Sequence, residues 1–173
     1  MLTIYCTGKL LKVWPATDTQ AEVATTALGN WYANILDVEP DAVLFMNEKT
    51  LLAVPVLAEP IEGLYARFVE TLTFLLDDIG VPRQMILAEI HQMRDAQISK
   101  TANPSKVTSL NDQAQRLKRE LFTTRRPSLE KAARRLTTFP YAANGYRTTP
   151  EMVKLIFNNS ANTLISMSAS FLM

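Results

Sequence analysis

Cysteine and histidine, the residues on which many metal and redox sites depend, are almost missing from this sequence of 173 residues. Cys6 is the single cysteine and His91 is the single histidine. A disulfide within the chain, a thiolate-rich zinc site and a site with two histidine ligands are therefore excluded. We accordingly expect no metal site and no cofactor.

Glycine is also scarce, and its five positions are all isolated from one another. A glycine-rich phosphate loop cannot be drawn, and the G-x-S-x-G element of many hydrolases is absent. The acidic stretch at 37–41 lacks the pattern of a calcium loop, so we interpret it as a solvated turn. Because no nucleophile stands in a pattern with a base, we name no catalytic residue and favour a non-enzymatic protein over an enzyme.

Long apolar stretches are absent too. There is no run of 18 apolar residues and no charged-then-apolar leader, so we expect no membrane segment and a cytoplasmic location. Hydrophobic residues make up 47% of the chain and charged residues 20%, which is typical of a folded globular protein. The length fits one compact domain, alone or with a small appendage.

The formal net charge of +1 hides a strong division of charge along the chain. Residues 1–99 contain 6 Lys/Arg and 13 Asp/Glu, a net of −7, whereas residues 100–147 contain 11 Lys/Arg and 3 Asp/Glu, a net of +8. Such a division predicts a polyanionic partner for the basic segment. The alternative is that this segment pairs with the acidic body of the same chain or of a second copy.

Four short stretches have the pattern of strands. Residues 2–6 alternate in character, and apolar runs at 42–46 and 51–56 enclose a polar four-residue loop, which predicts a hairpin. Pro55 has no N–H donor, so we expect the second hairpin strand to lie at an edge of the sheet or to end there. A last strand is expected at 96–99.

Helical spacing of apolar residues is clearest at 61–79, where Gly80 and Pro82 fit the end of one helix and the start of the next. Residues 23–35 carry an apolar residue every four positions and predict a helix interrupted near Gly29. The other predicted helices lie at 10–14, 82–93, 110–121, 129–136 after an N-cap at Ser128, and 149–157. Together these elements predict an α+β fold, with a small, mostly antiparallel sheet of three or four strands packed with helices.

We place the α+β domain at residues 1–120. Residues 121–173 are expected to form a basic helical extension that is partly flexible. On this division, deleting the extension leaves a folded body but removes partner binding.

Eight basic side chains on the predicted helices around residue 120 are candidates for contacts with nucleic acid. Two helices joined by a hinge would present them as a phosphate-binding surface whose affinity falls as salt rises. Aromatic residues are few in this segment, which gives little support for stacking on bases, and an ordinary solvated face is the alternative. The candidates are Arg116, Lys118, Arg119, Arg125, Arg126, Lys131, Arg134 and Arg135.

A polar segment at 100–112 leads into one of the predicted helices. N–H groups at a helix N-terminus bind anions, and neighbouring hydroxyls add hydrogen bonds, so this segment is a candidate anion or ligand loop. Capping of the helix by Ser109 or Asn111 is the alternative. The candidate ligand residues are Lys100, Thr101, Ser109, Asn111 and Asp112.

Four pieces of sequence, in a fixed order, resemble a known family. They are TGKL at 7–10, LGNWYAN at 28–34, VLFMN at 43–47, and KTANPS at 100–105 running on to SLND at 109–112. Over about residues 1–118 the chain resembles a family of small bacterial proteins of unknown function, seen alone or fused to a domain of the plasmid ORF-3 type. Gly8 stands where that family more often has lysine, and Pro104 where it often has arginine. The resemblance implies an α+β fold and a bacterial, cytoplasmic setting, and no activity.

The leading hypothesis is a non-enzymatic interaction or regulatory protein of unknown partner, in a plasmid, phage or toxin–antitoxin setting. The partner is expected to be another protein or a second copy of the chain. The first alternative is a nucleic-acid-binding protein that uses residues 100–147. The second is a small hydrolase or nuclease that uses Lys100, Ser109 and Asp112.

Overall fold

The computed structural model describes residues 1–17, 20, 23–125 and 128–170, with side chains through residue 163. Seven strands lie within these residues: β1 (Leu2–Cys6), β2 (Trp31–Leu36), β3 (Ala42–Asn47), β4 (Ala53–Leu57), β5 (Ala96–Lys100), β6 (Pro140–Tyr141) and β7 (Arg147–Thr148). The α-helices are α1 (Gly8–Leu11), α2 (Leu64–Ile79), α3 (Arg83–Gln92), α4 (Pro104–Thr123), α5 (Leu129–Leu136) and α6 (Thr149–Ser170).

The first five strands form one mixed sheet in the order β4-β3-β2-β1-β5. β1 runs parallel to both β2 and β5, whereas β2, β3 and β4 pair in antiparallel fashion. The α+β class is confirmed, and β4 with Pro55 is an edge strand as expected. The sheet has five strands, however, and not three or four. β1 is parallel to both of its neighbours, because the chain crosses back between β1 and β2 and later returns beside β1 in β5 after two helices.

The predicted helix at 23–35 is wrong, because residues 23–30 are not helical and residues 31–36 form β2 in the middle of the sheet. Trp31 and Ala33 point to one face of the sheet and Tyr32 and Leu36 to the other, and both faces are covered. A strand that is buried on both faces lacks the apolar–polar alternation that marks a half-exposed strand. The four-residue spacing of its apolar side chains therefore resembled a helix.

Each face of the sheet has its own hydrophobic cluster. On the first face, Phe68 of α2 lies with its ring 4.9 Å from the ring of Trp31 and 4.2 Å from that of Phe45. On the second face, Leu110 and Leu117 of α4 lie in a cluster with strand residues such as Leu44, Met46 and Tyr32. The sheet is thus the middle layer between two sets of helices.

Residues beyond position 120 contribute to both clusters. Ala133 of α5 and Phe157 of α6 belong to the first cluster, and Leu136 belongs to the second. The amide of Asn144 donates a hydrogen bond of 2.8 Å to the backbone carbonyl of Thr50 in the β3–β4 loop. The domain division at residue 120 stays a prediction, but the chain on both sides of it shares one core.

Local capping explains where several helices begin and end. Gly80 ends α2 in the left-handed conformation with φ of 91°, and the Ser128 hydroxyl accepts a bond from the Lys131 N–H at the start of α5. α4 begins at Pro104 and is capped by the Asn103 side chain. The predicted capping by Ser109 or Asn111 is therefore wrong. An Asn–Pro pair starts a helix by itself, because the Asn side chain accepts a backbone N–H bond and the Pro has no N–H that needs a partner.

Among the residues that the structure describes, none of the helices combines the length and apolar character needed to cross a membrane. No group of three or more His, Cys, Asp or Glu side chains within those residues is arranged to hold a metal ion. Cys6 is fully buried in the first cluster, and burial raises the pKa of its thiol to about 12.

Candidate functional site

An open cleft of about 650 Å³ lies between the turn that joins β2 to β3 and the adjoining ends of α4 and α5. Its lining combines apolar side chains with three carboxylates. The lining residues are Asp37, Val38, Glu39, Pro40, Asp41, Leu121, Phe122 and Leu129. We call this site the acidic-rimmed cleft.

The turn side of the cleft is held in place by backbone hydrogen bonds. The Val38 N–H donates to the carbonyl of Leu36 at 3.0 Å, and the Ala58 N–H after β4 donates to the carbonyl of Asp41 at 2.9 Å. The second bond joins the turn to the edge of the sheet. These two bonds therefore fix the backbone from which the side chains of the turn project.

The helix side of the cleft contains an aromatic ring that the fold leaves in solvent. Successive residues of a helix are about 100° apart around its axis, so Leu121 packs toward the second cluster whereas Phe122 points away. Phe122 is 86% exposed, which is unusual for a phenylalanine. An exposed ring beside an apolar depression is typical of a contact surface for a partner.

The rim of the cleft carries more negative than positive charge. Lys9 Nζ lies 2.6 Å from Asp37 Oδ1, and the hydrogen bond and charge of Lys9, with a smaller contribution from Lys118, lower the pKa of Asp37. Glu39 and Asp41 are exposed and form no ion pair with any other described side chain. Two carboxylates therefore remain available to a positively charged partner.

The eight basic candidates do not share one surface. Arg116 and Lys118 project from nearly opposite sides of α4, because two residues span about 200° of helix rotation. The Arg116 guanidinium lies over the rings of Phe139 and Tyr141, at 5.1 and 5.3 Å from their centroids. Lys118 instead lies on the side of Asp37.

Both arginines of α5 form ion pairs with carboxylates. Arg134 lies 3.3 Å from Asp78 of α2 and 4.8 Å from the ring centre of Phe74. Arg135 lies 3.0 Å from the half-buried Glu120 of α4. The contact with Asp78 is one instance of the basic segment folding back onto the acidic body.

Three basic candidates, Arg119, Arg125 and Lys131, are exposed and make no ion pair with another described side chain. Arg126 lies outside the described residues. The basic candidates thus divide into engaged side chains and a small exposed group around the α4–α5 junction.

The predicted anion or ligand loop is also divided. Lys100 and Thr101 lie at the end of β5, where the Thr101 N–H donates to the carbonyl of Cys6 at 3.1 Å. Ser109 and Asp112 lie one helical turn apart on α4 and line a smaller cleft, whereas Asn111 projects from another side of the helix. The structure therefore places Ser109 with Asp112 but not with Lys100, Thr101 or Asn111.

A buried polar network near the β3–β4 loop was missed by the sequence analysis. Asn47 is fully buried, and its amide donates to the carbonyls of Leu28 and Asn30 at 2.9 and 3.3 Å. Gly29 has a φ of 77°, and a β-carbon there would lie 2.6 Å from the Glu48 carboxylate. These contacts account for two of the sequence pieces, LGNWYAN and VLFMN, as a structural joint between β2 and β3.

Glu89 of α3 completes this joint from the first face of the sheet. Its two carboxylate oxygens accept the N–H groups of Ala27 and Leu28 at 2.7 and 3.0 Å. Burial raises the pKa of Glu89, and the two N–H donors oppose that shift. Because both carboxylate oxygens already accept backbone hydrogen bonds, we assign Glu89 a role in folding and not in catalysis.

Phe122 was missed as a site residue as well, although the sequence contained a signal. The α4 stripe of Leu110, Leu117 and Leu121 has the spacing of a buried face, and Phe122 falls outside it. A large aromatic residue off the apolar stripe of a helix is a candidate contact residue. The opposing acidic turn could not be connected to it without the fold.

A family model described as a domain of unknown function, DUF6933, matches residues 3–151. This match continues about 30 residues past the end of the resemblance at 118, through α5 and both strands of the small sheet. Comparisons with curated proteins and with solved structures gave no match.

Proposed function

The chain belongs to the DUF6933 family of domains of unknown function, and we propose that it is a non-enzymatic binding protein that holds a basic, amphipathic segment of another protein in the acidic-rimmed cleft. The observation that carries this proposal is the exposure of Phe122, at 86%, beside an apolar depression with free carboxylates on its rim.

The apolar part of the cleft supplies the expected binding energy. Val38, Leu121 and Leu129 line it together with the Phe122 ring. Aromatic side chains of this kind dominate binding energies when a partner removes them from water. A partner must therefore present apolar side chains to this surface.

The rim selects the charge of the partner. Glu39 and Asp41 lack cationic partners within the described residues, so a positive side chain placed beside them relieves their mutual repulsion. A segment with apolar residues on one side and Lys or Arg on the other meets both requirements. An acidic segment would meet repulsion at the same position.

A synthetic peptide of about 18 residues, built from leucine and lysine with helical spacing, provides the probe. We expect saturable binding to the full chain, measured by fluorescence anisotropy of the labelled peptide. Phe122→Ala is expected to weaken binding by about tenfold or more. Tyr146→Ala, which removes another exposed ring outside the cleft, is the matched control and is expected to leave the affinity unchanged.

A second peptide, with glutamate in place of lysine, tests the contribution of charge. We expect it to bind far more weakly, and we expect the variant Glu39→Gln with Asp41→Asn to reduce this preference. Equal affinities for the two peptides, or wild-type affinity in Phe122→Ala, would contradict the proposal. Peptide-independent dimerisation that Phe122→Ala abolishes would assign the cleft to a second copy instead.

Nucleic-acid binding is a second candidate function, favoured by the exposed group Arg119, Arg125 and Lys131. A labelled DNA duplex is expected to shift in a retardation assay at low salt, with affinity falling steeply as salt rises. The variant Arg125→Ala with Lys131→Ala should weaken the shift several-fold, whereas Lys154→Ala on α6 should not. A shift that is equal in both variants would remove this candidate.

The setting proposed for the protein is the bacterial cytoplasm, in association with a plasmid, phage or toxin–antitoxin system. This part rests on the resemblance and on the division of charge, and the genomic neighbours of the coding sequence are the direct check. The hydrolase or nuclease alternative has less support, because Lys100 does not line the cleft that holds Ser109 and Asp112.

A further inference from the structure

A second, smaller cleft of about 220 Å³ lies along the middle of α4, away from the acidic-rimmed cleft at its C-terminal end. The 140–143 segment forms its opposite wall. Its volume is below the range of about 300–1,000 Å³ typical of drug-sized ligands, so it suits a molecule with few heavy atoms. Its polar lining residues are Ser109, Asp112, Gln113, Arg116 and Tyr141.

Arg116 is held in this cleft by aromatic rings and not by a carboxylate. Its guanidinium lies within about 6 Å of the centroids of Phe139 and Tyr141, the range of a cation–π contact. Contact with the faces of these rings does not use the N–H donors on the edge of the guanidinium. Those donors have the geometry to bind a carboxylate through two parallel hydrogen bonds.

Asp112 stands one turn before Arg116, at the spacing that ordinarily favours an ion pair on a helix. The two side chains nevertheless form no ion pair, and neither is paired with another described residue. One wall of the cleft therefore presents a free anion and a free cation about one helical turn apart. A ligand that carries both charges satisfies both side chains.

The base of the cleft is fixed before any ligand binds. Gln113 is buried, its amide donates to the carbonyl of Leu51 at 3.0 Å, and its oxygen accepts the Tyr141 hydroxyl at 2.9 Å. Ser109 donates to the carbonyl of Ser105 at 3.3 Å and keeps its oxygen as an acceptor. A pre-formed base reduces the ordering that binding would otherwise require.

We infer that this cleft binds a small zwitterion of the free amino acid class, with its carboxylate on Arg116 and its ammonium group on Asp112. Ser109 lies on the same side of α4 and accepts a second hydrogen bond from the ammonium group. This site is independent of the acidic-rimmed cleft and gives the protein a ligand in addition to its protein partner.

The test is calorimetric titration of the full chain with the standard free L-amino acids, first as mixtures and then singly. We expect at least one to bind, and we expect its N-acetylated and methyl ester forms to lose about tenfold or more in affinity, because each removes one of the two charges. Absence of binding by every amino acid would overturn the inference. Full affinity of the N-acetylated form would overturn the role of Asp112.

Two variants assign the binding to this cleft. Arg116→Gln and Asp112→Asn are each expected to weaken binding by about tenfold or more. Asp112 is exposed, so Asp112→Asn keeps the test decisive even if Arg116→Gln disturbs packing against Phe139. Asn111→Ala, on another part of the α4 surface, is the matched control with wild-type affinity expected. Wild-type affinity in Asp112→Asn would overturn the assignment.

Discussion

A chain that ends at residue 120 is expected to lose cooperative thermal unfolding. The truncation removes α5, the β6–β7 hairpin and α6, and with them the buried side chains Leu136, Tyr141, Val153 and Phe157. Burial of one such side chain contributes about 1.5–3 kcal/mol, and the net stability of a domain is only about 5–15 kcal/mol. The loss is therefore comparable to the whole free energy of unfolding.

Circular dichroism melting and near-ultraviolet spectra of the two chains measure this effect. A chain that ends at residue 158 keeps Val153 and Phe157 and is the matched control, for which we expect a cooperative transition. If the chain of residues 1–120 melts cooperatively near the temperature of the full protein, then the boundary predicted from sequence is right and the shared core is not needed for folding.

Asn47→Ala is expected to lower the free energy of unfolding by about 3–5 kcal/mol, the second large effect. The Asn47 oxygen accepts the N–H groups of Lys49 and Thr50 at 3.1 and 3.0 Å, and its amide holds the carbonyl of Leu28 at 2.9 Å. The Thr50 N–H and the Leu28 carbonyl are buried, so alanine leaves these two groups without partners and away from water. Each buried group left unpaired costs about 1–3 kcal/mol.

Urea denaturation of the purified variants measures this change directly. Asn111→Ala, at an exposed position of α4, is the control, with a change within about 0.5 kcal/mol. In Asn47→Asp the carboxylate still accepts hydrogen bonds but cannot donate them, and at neutral pH it would face two carbonyl oxygens. We therefore expect the free energy of unfolding to fall less at acidic pH, where the carboxyl group is protonated, than at neutral pH. A loss below about 1 kcal/mol in Asn47→Ala would show that water replaces the amide.

Local sequence patterns predicted the helix that buries a single face and the elements whose ends are marked by a glycine or a polar loop. The helix at 64–79 has one buried stripe and a glycine at its end, and the hairpin of β3 and β4 has two apolar runs about a polar loop. The error at Trp31–Leu36 came from burial on both faces. Alternation carries no information about a strand whose two faces are equally apolar.

The candidate sites were less predictable because each depends on residues far apart in sequence. Arg116 and Asp112 were identified separately, as a phosphate contact and as part of a loop. Their common cleft exists only because Tyr141 packs against Gln113, a contact across 28 residues. The acidic-rimmed cleft likewise joins a turn at 37–41 to Phe122, and no local pattern connects the two.

The most direct test of the proposed function locates the leucine–lysine peptide on the protein. Amide chemical shifts of the ¹⁵N-labelled full chain, recorded during titration with that peptide, report which backbone groups change. The proposal predicts saturable shifts concentrated at residues 37–41, 121–122 and 129, and absent with the glutamate peptide. Shifts that are spread over the surface, or that are concentrated elsewhere while the acidic-rimmed cleft stays unchanged, would contradict it.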